Sequence, residues 1–285
     1  MRTTFLAKCV TALAVLISAS GVSAAMLDWD ADGAPPLGGT GPWDTTNLFW
    51  FDGSNYVAWD DSNADGAHFG TSAGTVTLSG SRTASELDFS VTGYNITGGD
   101  LTLSGAKKIT VAGGASATIV TPMAFSGSGG LTKEGGGTLF INNTSGITFN
   151  GGLTINDGIV EFNGSGGFPR FMGKVNVGTG TTLRFGVNGP NFFMKGLEGS
   201  GTVTSLSTPT SSVPQIDITN NTAEFTGTFT MLSNSEGFRI YGWNGVQIFR
   251  PQGGSSIGGS QNGIVGGVLQ VSAIHGYGTS SFYRA

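Results

Sequence analysis

The segment GGLTKEGGGTLFI, residues 129–141, decides the fold class of this chain. Five of its thirteen residues are glycine, and its apolar residues come in short groups. Glycine weakens a helix by about 1 kcal/mol relative to alanine, so a helix is disfavoured here. The pattern favours two short strands with a glycine corner between them. We expect Leu131, Leu139 and Ile141 to point into a core, and Thr132, Lys133 and Glu134 to face solvent.

The composition of the whole chain extends this interpretation. Glycine accounts for 50 of the 285 residues, more than twice its usual share of about 7%. Charged residues make up only 11% of the chain, against about 25% in ordinary globular domains. No segment after residue 25 has a convincing helical period. Disorder is excluded because 38% of the residues are hydrophobic, including 19 phenylalanines. An all-β protein with many short strands and tight turns remains.

Short alternating segments recur along residues 71–285, which fits a sandwich or a solenoid. Two near-copies of the same phrases favour the solenoid. GSGGLT (127–132) is echoed by GSGTVT (199–204), and FNGGLTI (149–155) by FTGTFTM (225–231). A self-similar chain stacks its repeats so that each covers the apolar face of the next. We therefore predict a right-handed parallel β-helix over residues 71–285, with a degenerate copy of its clearest repeat at 199–231.

The first 24 residues have the features of a secretory signal peptide. Arg2 and Lys8 supply positive charge, an apolar run too short to span a bilayer follows, and Val22-Ser23-Ala24 offers a cleavage site. Removing residues 1–24 removes the single cysteine, Cys9, and so excludes disulfides and thiol chemistry. It leaves 11 basic and 18 acidic residues, a formal charge of −7. That charge argues against nucleic acid as a partner. No later segment is long and apolar enough for a transmembrane helix.

Residues 25–70 differ in composition from the rest and are predicted to form an N-terminal cap. Four of the five tryptophans lie here, together with many aspartates. An open solenoid end would expose both core and strand edge, so a bulky apolar cap is physically required. The tryptophans are Trp29, Trp43, Trp50 and Trp59.

Residues 129–162 resemble the autotransporter-associated β-strand repeat. Gly129 to Lys133 match its GGLTK phrase, Gly137-Thr138-Leu139 its TL strand, and Asp157 to Val160 its final strand. Phe149 stands where the family usually has tyrosine, and Leu153 where it has threonine. The resemblance implies a non-enzymatic bacterial protein, secreted or held at the cell surface, whose passenger region is a β-helix. For a protein of this kind, we expect extracellular glycans or cell-surface components as partners.

The end of the chain departs from the family pattern. Autotransporters end in a transmembrane β-barrel built from longer alternating strands with aromatic girdles. The final residues, SAIHGYGTSSFYRA, show no such series. The expectation is a released protein, a protein anchored by another, or a fragment of a longer one.

Two aspartate-rich loops resemble the opening of an oxygen-ligand calcium loop. They are DWDADG, with Asp28, Asp30 and Asp32, and DSNADG, with Asp61, Asn63 and Asp65. Carboxylates at alternate positions of a tight turn can converge on a hard cation. Neither loop has the glutamate expected at position 12, and Asp and Gly also simply make turns. Both interpretations stay open, and the sequence assigns no catalytic, cofactor-binding or metal-binding residue.

Two alternative functions remain. A secreted polysaccharide lyase or hydrolase would use carboxylates and an arginine or histidine, here Asp60, Asp61, Arg239 and His275. A carbohydrate-binding module would stack exposed indoles such as Trp43 and Trp59 on sugar rings, although aromatic residues are more often core. The main prediction is an exported structural or adhesive protein that is not an enzyme.

Overall fold

The computed structural model describes residues 24–142, 148–163, 169–186, 192–206, 214–231, 239–241, 244–250, 256–257, 262–265, 268–271 and 282–284. They form strands and turns, with no helix in these ranges. The strands are β1 (Met26–Trp29), β2 (Gly41–Trp43), β3 (Trp50–Phe51), β4 (Tyr56–Val57), β5 (Gly66–Phe69), β6 (Thr75–Leu78), β7 (Arg82–Phe89), β8 (Tyr94–Gly98), β9 (Leu101–Val111), β10 (Ser116–Ile119), β11 (Met123–Phe125), β12 (Leu131–Glu134), β13 (Thr138–Ile141), β14 (Thr148–Phe149), β15 (Leu153–Ile155), β16 (Ile159–Phe162), β17 (Arg170–Phe171), β18 (Val175–Val177), β19 (Thr182–Phe185), β20 (Phe192–Met194), β21 (Leu197–Gly199), β22 (Thr202–Ser205), β23 (Pro214–Asp217), β24 (Thr222–Phe225), β25 (Thr228–Met231), β26 (Arg239–Tyr241), β27 (Val246–Phe249), β28 (Ser256–Ile257), β29 (Asn262–Val265), β30 (Val268–Val271) and β31 (Phe282–Arg284).

The strands stack into three rows of parallel sheet, so the described chain is a parallel β-solenoid. The first row runs from β1 through β5, β7, β9, β12 and β15 to β30, and the second from β2 through β6, β8, β10 and β13 to β28. The third runs from β14 through β17, β20, β23, β26 and β29 to β31. The long strands β7 and β9 pair with each other along both halves, with an irregularity in the register between Ala84 and Glu86. The first half of β9 also pairs with β11.

One coil is about two dozen residues long, and its register is regular in the middle of the chain. Leu131, Leu153, Val175 and Leu197 pair in succession on the first row, and each lies 22 residues after the previous one. Residues 129–141 provide two faces of one coil, as predicted. Its β12 belongs to the first row and its β13 to the second, and Gly135 turns the corner between them at a φ of 73°.

Aromatic side chains stack along the inside of the solenoid. Phe125, Phe149, Phe171 and Phe192 form a continuous column, with ring centroids 4.4, 4.4 and 4.8 Å apart. All four are buried, as are Leu131, Leu139 and Ile141, which confirms the inward direction predicted for those three. Stacking similar side chains in consecutive coils buries apolar area and places the rings at favourable distances from one another.

The N-terminal end of the first row departs from the parallel pattern. There β1 pairs antiparallel with β3, and β3 pairs antiparallel with β4, whereas β1 pairs parallel with β5. Trp29, Trp43, Trp50 and Trp59 pack into one buried cluster with Phe69 beneath this hairpin. A short antiparallel hairpin leaves little free strand edge at this end.

The prediction that Lys133 faces solvent is wrong. Lys133 is fully buried and pairs in register with Ile109 of the preceding coil and Ile155 of the next. Its Nζ donates to the carbonyl oxygens of Glu134 at 2.7 Å and Gly135 at 2.6 Å. Strand alternation is the reason: Lys133 lies two residues after the inward-pointing Leu131 and shares its side. Thr132 and Glu134 lie on the other side and are half-buried.

The predicted degenerate copy is out of phase with the coil. Leu131 lies in β12 on the first row, whereas Val203, its counterpart in the echo, lies in β22 on the second. Leu153 in β15 and Phe229 in β25 are separated in the same way. The echoed phrases therefore mark similar corner-and-strand units on different faces.

Candidate functional surface

The tryptophan group is a core and not a surface. Trp43 and Trp59 are at most 1% exposed, and their rings lie 4.8 Å apart. The Nε1 of Trp59 also donates to the carbonyl oxygen of Thr83 at 3.1 Å. A buried indole cannot stack on a sugar ring, so the carbohydrate-binding alternative built on Trp43 and Trp59 is wrong.

The aspartates of the first candidate calcium loop have separate partners. Asp28 contacts Nδ1 of His68 on the neighbouring strand. Asp30 is buried and accepts a hydrogen bond from the Tyr56 hydroxyl at 2.8 Å. Asp32 accepts one from the backbone N–H of Ala34 at 3.1 Å, as in an Asx turn. These contacts direct the three carboxylates to different places.

The second candidate loop is likewise divided. Asp61 binds Nη1 of Arg82 at 2.6 Å and the backbone N–H of Thr83 at 2.7 Å. Asp65 accepts a hydrogen bond from the backbone N–H of Ala25 at 2.8 Å. The part of the chain that the structure describes contains no group of three or more His, Cys, Asp or Glu side chains placed to hold a metal ion.

The residues named for polysaccharide cleavage form no common site among those described. Asp60 accepts hydrogen bonds from the side chain and backbone of Ser62, which hold its pKa below the usual range. Asp61 is held by Arg82. The side chain of Arg239 and the whole of His275 lie outside the described residues.

Several ion pairs join side chains of consecutive coils. Examples are Glu86–Lys108 at 2.5 Å, Glu161–Arg184 at 2.6 Å and Glu224–Arg250 at 3.1 Å. The paired residues are 22, 23 and 26 positions apart, close to one coil. These pairs were not predicted from the sequence. Opposite charges at the coil spacing are the signal that could have found them.

The third row carries an aromatic side chain between two cations on its outer side. Phe193 is half-buried, with Cζ of Arg170 5.9 Å and Nζ of Lys195 5.6 Å from its ring centroid. Lys195 also binds Asp217 at 2.5 Å. Within the described ranges, no helix is long and apolar enough to cross a membrane.

Comparison with known proteins gives one informative relative. The chain is 39% identical over 124 residues to the "Adhesin BmaC autotransporter" of Brucella suis biovar 1 (strain 1330). Over these residues the chain is similar to an autotransporter adhesin. Together with the β-solenoid, the relationship confirms the resemblance to passenger-type β-helices. The match covers 41% of this chain and 4% of the adhesin, so the chain spans a small part of that relative's length. No family model and no solved structure matches the chain.

Proposed function

We propose that this chain is a passenger segment of an exported bacterial adhesin whose structural or adhesive role requires no enzymatic activity. The observation that carries the proposal is the 39% identity to an autotransporter adhesin in a chain that folds as a parallel β-solenoid. The solenoid works by display: stacked coils make a stiff rod whose corners and outer rows project from the cell.

The proposal also covers the division of the chain into a signal peptide, a cap and a β-helix. Residues 1–24 are a signal peptide, of which residues 1–23 lie outside the described residues. Residues 25–70 form the cap, and residues 71–285 form a right-handed β-helix with its clearest repeat at 129–162. The antiparallel hairpin β3–β4 and the buried tryptophans support the cap. The location is the bacterial cell surface or the medium.

The partners proposed are extracellular glycans or other cell-surface components. The outer surface supports this choice because it offers polar and charged side chains on consecutive coils, such as the exposed Glu224 and Arg250. Such an extended surface can bind a repetitive ligand through many weak contacts, and their avidity makes up for low affinity at each one.

Bead adhesion tests the proposal. Beads coated with purified residues 25–285 are expected to adhere to cultured epithelial cells more than beads coated with albumin or with heat-unfolded chain. Treating the cells with glycosidases before the assay distinguishes the partners: lost adhesion indicates glycans, and retained adhesion indicates protein components. Equal adhesion of the folded chain and albumin would contradict the proposal.

A further inference from the structure

Asp28, His68 and Ser90 form a continuous hydrogen-bond chain on the outer side of the first row. Nδ1 of His68 contacts a carboxylate oxygen of Asp28, and Nε2 of His68 lies 2.7 Å from Oγ of Ser90. Three neighbouring parallel strands bring the residues together. Asp28 in β1 pairs with His68 in β5, and His68 pairs with Asp88 in β7. Ser90 follows Asp88 by two residues and so continues on the same side.

We propose that these three residues form a nucleophilic site that reacts with small carboxylic esters, in addition to the adhesive role. A serine hydroxyl is a weak nucleophile until a neighbouring base accepts its proton, and a carboxylate on the far ring nitrogen fixes the base in the required tautomer. Here Ser90 is the nucleophile, His68 the base and Asp28 the positioning residue. Nucleophile–base and base–orienter contacts are the geometric signature of such a site, whatever the fold.

The site is open to a ligand. Ser90 is exposed, and the side chains of His68 and Asp28 are 26% and 35% exposed. The backbone N–H groups of Val91 and Thr92, directly after Ser90, donate to no acceptor within the described residues. Free backbone donors next to the nucleophile are the groups that stabilise an oxyanion in acyl transfer.

Gly70 provides the space in which the imidazole lies. A methyl group added at Gly70 would lie 2.9 Å from Cε1 and 3.3 Å from Nε2 of His68. The ring therefore packs over the glycine, and a side chain at this position would push it away from Ser90. The backbone of Gly70 has an ordinary conformation, so this close contact is the main obstacle to a larger residue.

The reaction balances with water as the second reactant. The Ser90 Oγ attacks the ester carbonyl carbon as its proton passes to Nε2 of His68. The carbon–oxygen bond to the leaving alcohol then breaks, and the alcohol takes that proton. Water, deprotonated by His68, next attacks the acyl-serine and releases the carboxylic acid, which restores Ser90.

Covalent labelling is the direct test. Folded chain treated with diisopropyl fluorophosphate is expected to gain one adduct, which peptide mapping places on Ser90. The adduct should be absent in Ser90→Ala and present in Ser54→Ala, which removes another exposed serine, in the turn between β3 and β4. His68→Gln should slow labelling by about 10²- to 10⁴-fold, the usual contribution of a general base.

Two further variants separate positioning from folding. Gly70→Ala keeps all three side chains but displaces the ring, and should slow labelling at least tenfold. Asp28→Asn should slow it as well, and Asp28→Glu should restore part of the rate. Circular dichroism checks that each variant is folded. Absence of an adduct on Ser90 in the folded wild-type chain, or equal p-nitrophenyl acetate hydrolysis by wild type and Ser90→Ala, would overturn the proposal without affecting the adhesive function.

Discussion

Lys133 of one coil donates a hydrogen bond from Nζ to the backbone carbonyl oxygen of Asp157 in the next coil, at 3.3 Å. The same ammonium also binds the carbonyls of Glu134 and Gly135. A buried cation thus joins two consecutive corners between the first and second rows. Burial lowers the pKa of Lys133 to about 8, and the nearby carboxylates of Asp157 and Glu134 oppose that shift.

The lowered pKa predicts that stability rises with pH between about 8 and 10.5. In this window the unfolded chain still holds the proton of Lys133 and the folded chain has released it, so raising the pH favours the folded state. The gain amounts to about 3 kcal/mol at most. Urea unfolding at pH 7.5, 9 and 10 should show the rise in wild type and its absence in Lys133→Met.

Lys108 provides the matched control. It lies on the outer side and is bound to Glu86, which raises its pKa. A raised pKa makes stability fall only above the ordinary lysine value, so Lys108→Met should keep the rise seen in wild type between pH 8 and 10. If Lys133→Met retained the rise as well, the lowered pKa of Lys133 would not be its cause.

Glycine in the repeat phrase is required where coils touch. A methyl group at Gly152 would lie 2.0 Å from the carbonyl oxygen of Lys174 in the next coil, a contact that only a backbone shift can relieve. We expect Gly152→Ala to destabilise the chain by about 1–3 kcal/mol or more, in the range of overpacked cores. Gly113→Ala is the control, because a methyl there meets nothing within 4 Å. Equal melting temperatures for the two variants would contradict the stacking geometry.

The segment around Lys133 shows how much of this fold can be predicted from the sequence. The two strands, the glycine corner and the inward Leu131 follow from alternation and from glycine. The same alternation places Lys133 inside, yet a lysine is usually assigned to solvent because burying a charge is costly. Three carbonyl oxygens offset that cost here, and they converge only when two corners stack. Sequence alone does not show that convergence.

The candidate sites were harder to predict, because they too depend on contacts between stacked coils. The spacing of the motif suggests that Asp28, Asp30 and Asp32 act together. In the solenoid, Asp28 contacts His68 and Asp30 contacts Tyr56, both far away in sequence, and Asp32 turns back to the nearby Ala34. His68 lies 40 positions from Asp28 and 22 from Ser90. Contacts of this kind depend on which strands become neighbours, and so on the length of each coil. The N-terminal coils are irregular, and no repeat in the sequence gave their register.

The phenylalanine column should dominate the stability of the central coils. Phe171 is fully buried and stacks on Phe149 at 4.4 Å with an interplanar angle of 7°. Phe171→Ala is expected to cost about 3–5 kcal/mol, as for other buried aromatic residues. Phe193→Ala, on the half-buried outer side, should cost under about 1 kcal/mol. Denaturant midpoints measure both, and equal losses would contradict an inner column.

The contact between Asp65 and Ala25 predicts how the proposed cleavage after Ala24 affects stability. Its carboxylate is buried and accepts a hydrogen bond from the backbone nitrogen of Ala25. Cleavage would turn that nitrogen into an α-ammonium and the hydrogen bond into an ion pair, which is stronger. Residues 25–285 should therefore be more stable than residues 23–285, and Asp65→Asn should abolish the difference. A difference unchanged in Asp65→Asn would contradict this pairing.

Surface labelling of intact bacteria tests the central claim most directly. Antibodies raised against purified residues 25–285 would be applied to unpermeabilised cells of the producing bacterium, with a cytoplasmic protein as the control for leakage. Display of the solenoid predicts labelling of intact cells that protease treatment removes. Labelling that appears only after permeabilisation, with no chain in the medium, would contradict an exported adhesin.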